Sequence, residues 1–253
     1  MKTNEKFLEA LRYMNATMKN DIASGHPWKY CNVTSKKAKG FEQARQQGKY
    51  LINCVDGVQW ALKIAGIPSS ALAWYGGEER IVFLSDNARR EVKKYFDIIE
   101  TGGKTPKQLF DARLLCDGDI LLGYHGMSHT NAFFGGTNPK SFDSGHAYAS
   151  GSGEGAKFKK WIGSLSHKNT KVFYILRLKD RARYRVQCGA FHSETAMNEF
   201  RALILKKGFW TVPFEEDGMF KLQAGMFDGK TNADLTVKAL SAKGIGAFVK
   251  EVG

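Results

Sequence analysis

Cys54 lies in the segment Lys49-Tyr-Leu-Ile-Asn-Cys-Val-Asp-Gly-Val-Gln-Trp-Ala-Leu-Lys-Ile-Ala-Gly-Ile-Pro68, which carries the marks of a helix with the cysteine in its first turn. Asn53 is a good N-cap, and Asp56, three residues on, stands in the reciprocal position of a capping box. Val58, Ala61, Leu62 and Ala65 form a stripe at helical spacing, and Gly66 and Pro68 end the run. At a helix start the unpaired backbone N–H groups and the helix dipole stabilise negative charge, which suits a nucleophilic thiolate. A free cysteine also serves as a small buried hydrophobe, so position alone leaves both roles open.

A thiolate needs a base, and the base needs a third group to fix its tautomer. His129 opens Ser128-His-Thr-Asn-Ala-Phe-Phe-Gly-Gly136, which reads as a strand. A turn, Thr137-Asn-Pro-Lys140, then leads into a returning strand, Ser141-Phe-Asp-Ser-Gly-His-Ala-Tyr148. Asp143 and His146 lie on that second arm, and register decides which of them meets His129. Pairing Phe134 with Ser141 sets His146 opposite His129, whereas a one-residue slip brings Asp143 to the His129 face. Asp143 is the preferred partner, because a carboxylate both orients an imidazole and stabilises the imidazolium. His125 and His129 lack a His-Glu-x-x-His frame, and Gly151-Ser-Gly-Glu-Gly155 lacks the spacing of a phosphate loop. No metal and no cofactor is therefore expected.

These residues belong to a chain of 253 residues with a net charge of +13, 43% hydrophobic and 12% aromatic, which is enough for a packed core. The positive charge favours a polyanionic partner such as nucleic acid, an anionic membrane surface or the bacterial cell wall. Apolar runs such as Ala71 to Tyr75 fall far short of the ~20 residues that span a bilayer, so membrane insertion is not expected. Phe7, Leu11, Met14 and Met18 recur at helical intervals between charges, unlike the solid apolar core of a signal peptide, so cytoplasmic accumulation is expected. Cys31, Cys116 and Cys188 are far apart, form no Cys-x-x-Cys pair and are assigned to packing. Trp28 and Tyr30 either line a groove near Cys54 or belong to the core.

The C-terminal end repeats itself. At an offset of 36 residues, Gln187 falls on Gln223, Gly189 on Gly225, Phe191 on Phe227, Thr195 on Thr231 and Gly208 on Gly244. Each copy reads as an alternating strand, a helix stopped by the last glycine, and a second short strand. Two copies make a ferredoxin-like βαββαβ unit with helices on one face of its sheet. Tyr184, Val186 and Cys188 share the parity of the helix-packed face, while Arg185 and Gln187 point to the open one, with Lys221 and Gln223 placed there by the repeat. Two Gln and two cations at the centre of a bare face suit an extended polar ligand. The Lys/Arg-Gly-Phe/Tyr-Gly/Ala-Phe-Val core of RNA-recognition modules is missing, which argues against nucleic acid.

Two family resemblances join these readings. Tyr184-Arg-Val-Gln-Cys-Gly-Ala-Phe191, Leu222-Gln-Ala-Gly-Met-Phe227 and Ala242-Lys-Gly-Ile-Gly-Ala-Phe-Val249 resemble the SPOR domain, a bacterial module that binds peptidoglycan glycan strands. The resemblance covers about 182–253 and implies a glycan site on the open face carried by Gln187, Lys221 and Val249, with Arg185 and Gln223 beside them. Met219 stands where some members place an aromatic residue. In the first half, Asn53-Cys-Val-Asp-Gly-Val-Gln59 resembles the Asp-Cys-Ser-Gly-aliphatic-Val-Gln motif of NlpC-type, papain-like cysteine cell-wall peptidases. Gly118-Asp119 stands for that family's Gly-Asp strand start and His129-Thr-Asn-Ala-Phe133 for its His-led strand. Phe142-Asp-Ser-Gly145 looks like a version seen in phage lysins.

The expected fold is thus α+β: a papain-like NlpC-type catalytic domain over 1–178 and a ferredoxin-like SPOR domain over 182–253. The resemblances imply a cysteine hydrolase with Cys54, His129 and Asp143 as its triad, acting on bacterial peptidoglycan, as in a phage endolysin. The bond implied is the γ-D-glutamyl link to the diamino acid, with the N-acetylmuramoyl-L-alanine amide as the alternative. A non-catalytic wall-binding protein is the rival from another class. Residues 179–253 carry 12 Lys and Arg against 9 Asp and Glu, so +10 of the +13 belongs to the first half. The basicity then reads as attraction of the hydrolase to an anionic wall.

Overall fold

The structure, a computed structural model, describes residues 1–72, 74, 85–124, 128–135, 139–143, 149–150, 154–165, 171–180 and 182–252. It divides into two compact units, Met1–Asp180 and Arg181–Gly253. The turn at 137–138, His125, His146 and the rest of the returning arm over 144–148, and the glycine loop over 151–153 lie outside the described residues.

In the first unit, α1 (Thr3–Ala23) forms because Phe7, Leu11, Met14 and Met18 fall on one stripe, and all four are fully buried. At ~1.5–3 kcal/mol for each such side chain, this stripe docks the helix on the core. A six-stranded sheet lies beneath it, built from β3 (Phe96–Lys104), β4 (Ile120–Tyr124), β5 (Ser128–Phe134), β6 (Lys140–Phe142), β9 (Ile162–Ser164) and β10 (Lys171–Leu178), in the order β3-β10-β4-β5-β6-β9. Ile120, Leu122 and Ala132 face the core shared with α1 and with α3 (Cys54–Ile64). Leu121, Phe133, Val172 and Ile175 face a second cluster with Leu109 and Leu115. The sheet is therefore buried on both sides, which explains its continuous apolar strands.

A small sheet, ordered β2-β1-β8-β7, joins β1 (Lys29–Tyr30), β2 (Leu51–Ile52), β7 (Ala149–Ser150) and β8 (Lys157–Phe158). Its strands β1 and β2 run parallel, with Tyr30 opposite Ile52, and this pairing delivers both Tyr30 and the start of α3 to one place. Trp161 fills the core nearby, 5.3 Å from Trp28 and 5.5 Å from Phe142 between ring centroids. Short helices α2 (Phe41–Gln46), α4 (Asp86–Tyr95) and α5 (Pro106–Asp111) complete the unit.

The second unit runs β11 (Arg183–Phe191), α6 (Glu194–Lys206), β12 (Val212–Glu216), β13 (Met219–Asp228), α7 (Lys230–Ser241) and β14 (Phe248–Val252). Its antiparallel sheet has the order β12-β13-β11-β14, the ferredoxin-like arrangement the repeat implies. Val186, Cys188, Met197, Ile204, Leu222, Ala233 and Leu240 pack between sheet and helices. The repeated Gly-x-Phe has a steric cause. A Cβ at Gly189 (φ +70°) would sit 2.6 Å from the Phe191 ring, and one at Gly225 would sit 2.5 Å from the Phe227 ring. Both glycines occur where the β11–β13 ladder shifts register, so each copy bends at the same point. Among the described residues, no helix of either unit is long and apolar enough to cross a membrane.

Candidate functional site

Cys54 is the first residue of α3. The Asn53 side chain accepts from the Asp56 backbone N–H at 2.9 Å, and the Asp56 carboxylate accepts from the Asn53 N–H at 3.3 Å. This reciprocal cap fixes the turn that presents the sulfur. Asp56 is also ion-paired with the deeply buried ammonium of Lys37. Further along the helix, Gln59 donates to the carbonyls of Leu72, at 2.8 Å, and Trp74, at 2.7 Å, and so ties the following segment to α3.

The β5–β6 hairpin pairs Phe133 with Ser141 and Phe134 with Lys140. This is the slipped register, and it sets His129 Nε2 2.9 Å from Asp143 Oδ2. Asp143 is completely buried and His129 nearly so. The Asp143 backbone N–H donates to the Trp161 carbonyl at 2.8 Å, so the aromatic core holds the carboxylate in place. Burial of His129 opposes its charge, but Asp143, by attraction and hydrogen bonding, and the hydrogen-bonded Cys54 outweigh it and raise the imidazole well above its usual pKa. Cys54, His129 and Asp143 thus form one contiguous set. With Nε2 engaged by Asp143, Nδ1 is the ring nitrogen left to exchange a proton with a nucleophile.

Tyr30 completes the set. Burial, then the proximity of Cys54, raise its phenol pKa far above the ordinary value, and its hydroxyl is hydrogen-bonded to Cys54. Trp28, by contrast, is core, with its indole N–H on Asp21 at 3.0 Å. No local pattern separates the two aromatics, since the parallel β1–β2 pairing that brings Tyr30 to the helix start joins residues distant in sequence. Asp119, the acid of the Gly-Asp pair, lies outside this set. It is held bidentately by Arg177, at 2.8 and 2.7 Å, and accepts from the Cys116 N–H at 2.8 Å, which locks β4 to β10.

In the C-terminal unit the open face carries Arg185, Gln187, Lys221 and Gln223, as the alternation implies, but it is not bare. The Arg185 guanidinium lies 4.1 Å from the Phe214 ring centroid and 2.7 Å from Glu216 Oε1. Lys221 and Lys250 reach the other oxygen of Glu216 at 3.0 and 2.8 Å. Lys250, then Arg185 and Lys221, pull the Glu216 carboxyl down to about 2. Gln187 and Lys221 are themselves buried. Val249 is not on this face. It pairs with Val186 in the β11–β14 ladder and packs against the helix-side core, because directly opposed residues in an antiparallel ladder point the same way. Its neighbours Phe248, opposite Gln187, and Lys250, opposite Arg185, take the open positions.

Residues 180–251 match the SPOR domain family, and the chain thus carries a SPOR domain at this end. Among solved structures it is similar to the peptidoglycan binding domain of the B. subtilis cell wall lytic enzyme CwlC. That match has 30% identity over 28% of this chain and 91% of that one, with a TM-score of 0.27. No curated protein matches the chain significantly.

Proposed function

We propose that this chain is a peptidoglycan hydrolase, in which the SPOR domain binds the wall and Cys54 cleaves an amide of the stem peptide. The observation that carries the catalytic half is the contact of Cys54, at a capped helix start, with a His129 ring held 2.9 Å from buried Asp143. The NlpC-type motif around Cys54 and the lysin-like Phe142-Asp-Ser-Gly145 point the same way. For the binding half, the SPOR match is joined by the B. subtilis domain, which is described as binding peptidoglycan.

In the reaction, the Cys54 thiolate adds to the amide carbonyl carbon while His129 holds the proton taken from sulfur. The oxyanion meets two donors. One is the Cys54 backbone N–H, which lies at the positive end of the helix, and the other is the Tyr30 hydroxyl. The tetrahedral adduct expels the amine, which takes the proton from His129, and leaves a thioester. His129 then deprotonates a water that hydrolyses the thioester and restores the thiolate. Asp143 keeps Nε2 occupied and stabilises the imidazolium throughout.

Mass spectrometry of purified peptidoglycan digested with the full chain tests this function. Fragments ending at γ-D-glutamate, with new amino termini on the diamino acid, are expected. Free lactyl-bearing glycan ends would move the cut to the muramoyl-alanine amide. No soluble fragments at all would overturn hydrolysis and leave a wall-binding protein.

A further inference from the structure

Trp210, in the connection between α6 and β12, is 68% exposed, the most exposed large aromatic side chain among the described residues. The Arg201 guanidinium of α6 lies over its indole, 5.6 Å from the ring centroid. The two residues, with Asn198, Ala202, Leu205 and Thr211, line a pocket of about 260 Å³. Thr211 lines it with a side chain only 2% exposed, and its hydroxyl oxygen has no hydrogen-bond partner. A buried, unsatisfied hydroxyl at a pocket wall is uncommon and marks a place where a ligand group can complete the bonding. Met197 and Ile204 point into the core, so Asn198, Arg201, Ala202 and Leu205 are on the flank of α6 away from the sheet. The pocket therefore belongs to the helix layer, across the sheet from the open face.

We propose that this pocket is a second saccharide subsite, taking a single pyranose ring that bears a carboxylate. The volume lies below the ~300–1,000 Å³ of ordinary small-molecule sites, which favours one ring over a peptide. An exposed indole offers a flat apolar face to the C–H face of a sugar. Asn198 and Thr211 supply hydroxyl and amide partners, and Arg201 supplies the one positive charge of the pocket. In a wall polymer, the sugar with this chemistry is the N-acetylmuramic acid whose lactyl carboxylate has been freed of its peptide. This inference rests on the reading of the chain as a peptidoglycan binder, and it gives the SPOR domain two contacts with the polymer instead of one. Two contacts on one rigid domain raise the overall affinity by multivalency.

The test uses the full chain with Cys54→Ala, so that the wall is not consumed. Retention on peptidoglycan stripped of stem peptides is measured together with the Trp210 indole N–H resonance, assigned by Trp210→Phe, during titration with N-acetylmuramic acid or N-acetylglucosamine. Trp210→Ala is expected to weaken retention about fivefold at unchanged thermal unfolding, with Trp210→Phe retaining most of it. The Trp210 signal should move more with the acidic sugar, and Arg201→Gln should remove that preference. A retained parent whose Trp210→Ala variant is retained equally, with an unmoved indole signal, overturns the subsite. A parent that the polymer does not retain, but whose indole still responds to the acidic sugar, overturns the wall-binding reading and keeps the subsite.

Discussion

His129 Nε2 and Asp143 Oδ2 stand 2.9 Å apart, both withdrawn from solvent, because the β5–β6 hairpin pairs Phe133 with Ser141 and not Phe134 with Ser141. One residue of register separates a triad from its absence. Since the imidazole is buried, the carboxylate is what sustains its charge, and the consequences can be measured.

His129 is raised well above the usual 6.5. A group raised on folding contributes stability that is complete below its unfolded pKa and is lost as pH rises through its folded one. With respect to this group, the first unit should therefore resist thermal unfolding most below about pH 6.5 and lose that resistance on the alkaline side. In Asp143→Asn, burial dominates the imidazole and this alkaline loss should disappear. A pH profile of unfolding for parent and variant checks it, and hydrolysis by the variant should fall with it.

Tyr30→Phe keeps the buried ring and removes only the hydroxyl that meets Cys54. Its kcat should fall about 10²-fold, as for loss of one oxyanion donor, with KM little changed and unfolding within about 1 kcal/mol of the parent. An unchanged kcat would return Tyr30 to the core.

Asp119→Ala leaves the Arg177 guanidinium, only 15% exposed in its side chain, without its carboxylate. The cost should be about 3–5 kcal/mol by denaturant unfolding, because an uncompensated charge is left largely buried. Asp119→Leu combined with Arg177→Met should cost less than the two single changes added together.

Glu216 holds Lys250, Arg185 and Lys221, and its carboxyl sits at about 2 instead of 4.5. A depressed acid contributes stability that is present above its unfolded pKa and lost as pH falls through its folded one. Acidification from about 4.5 to about 2 should therefore loosen the C-terminal sheet face. Glu216→Gln should flatten that loss, read from the amide signals of β11 and β12.

What the sequence made legible is local or repeated. The Asn53–Asp56 cap, the α1 stripe and the 36-residue repeat are all carried by neighbours in the chain or by a second copy. Pairings between distant segments were not legible. The hairpin register left Asp143 and His146 as alternatives, and the β1–β2 pairing hid Tyr30 among core aromatics. Resemblance puts Val249 on the open face, whereas its pairing with Val186 turns it inward. The pairing of that face's cations is invisible in the sequence because Glu216, on a different strand, is adjacent to Arg185 only after folding.

The most direct test of the account compares the full chain with Cys54→Ala on purified peptidoglycan, following both sedimentation with the wall and release of soluble fragments. The parent should release fragments, while Cys54→Ala should sediment equally well and release none. Release by Cys54→Ala at the parent's rate would remove Cys54 as the nucleophile and with it the mechanism.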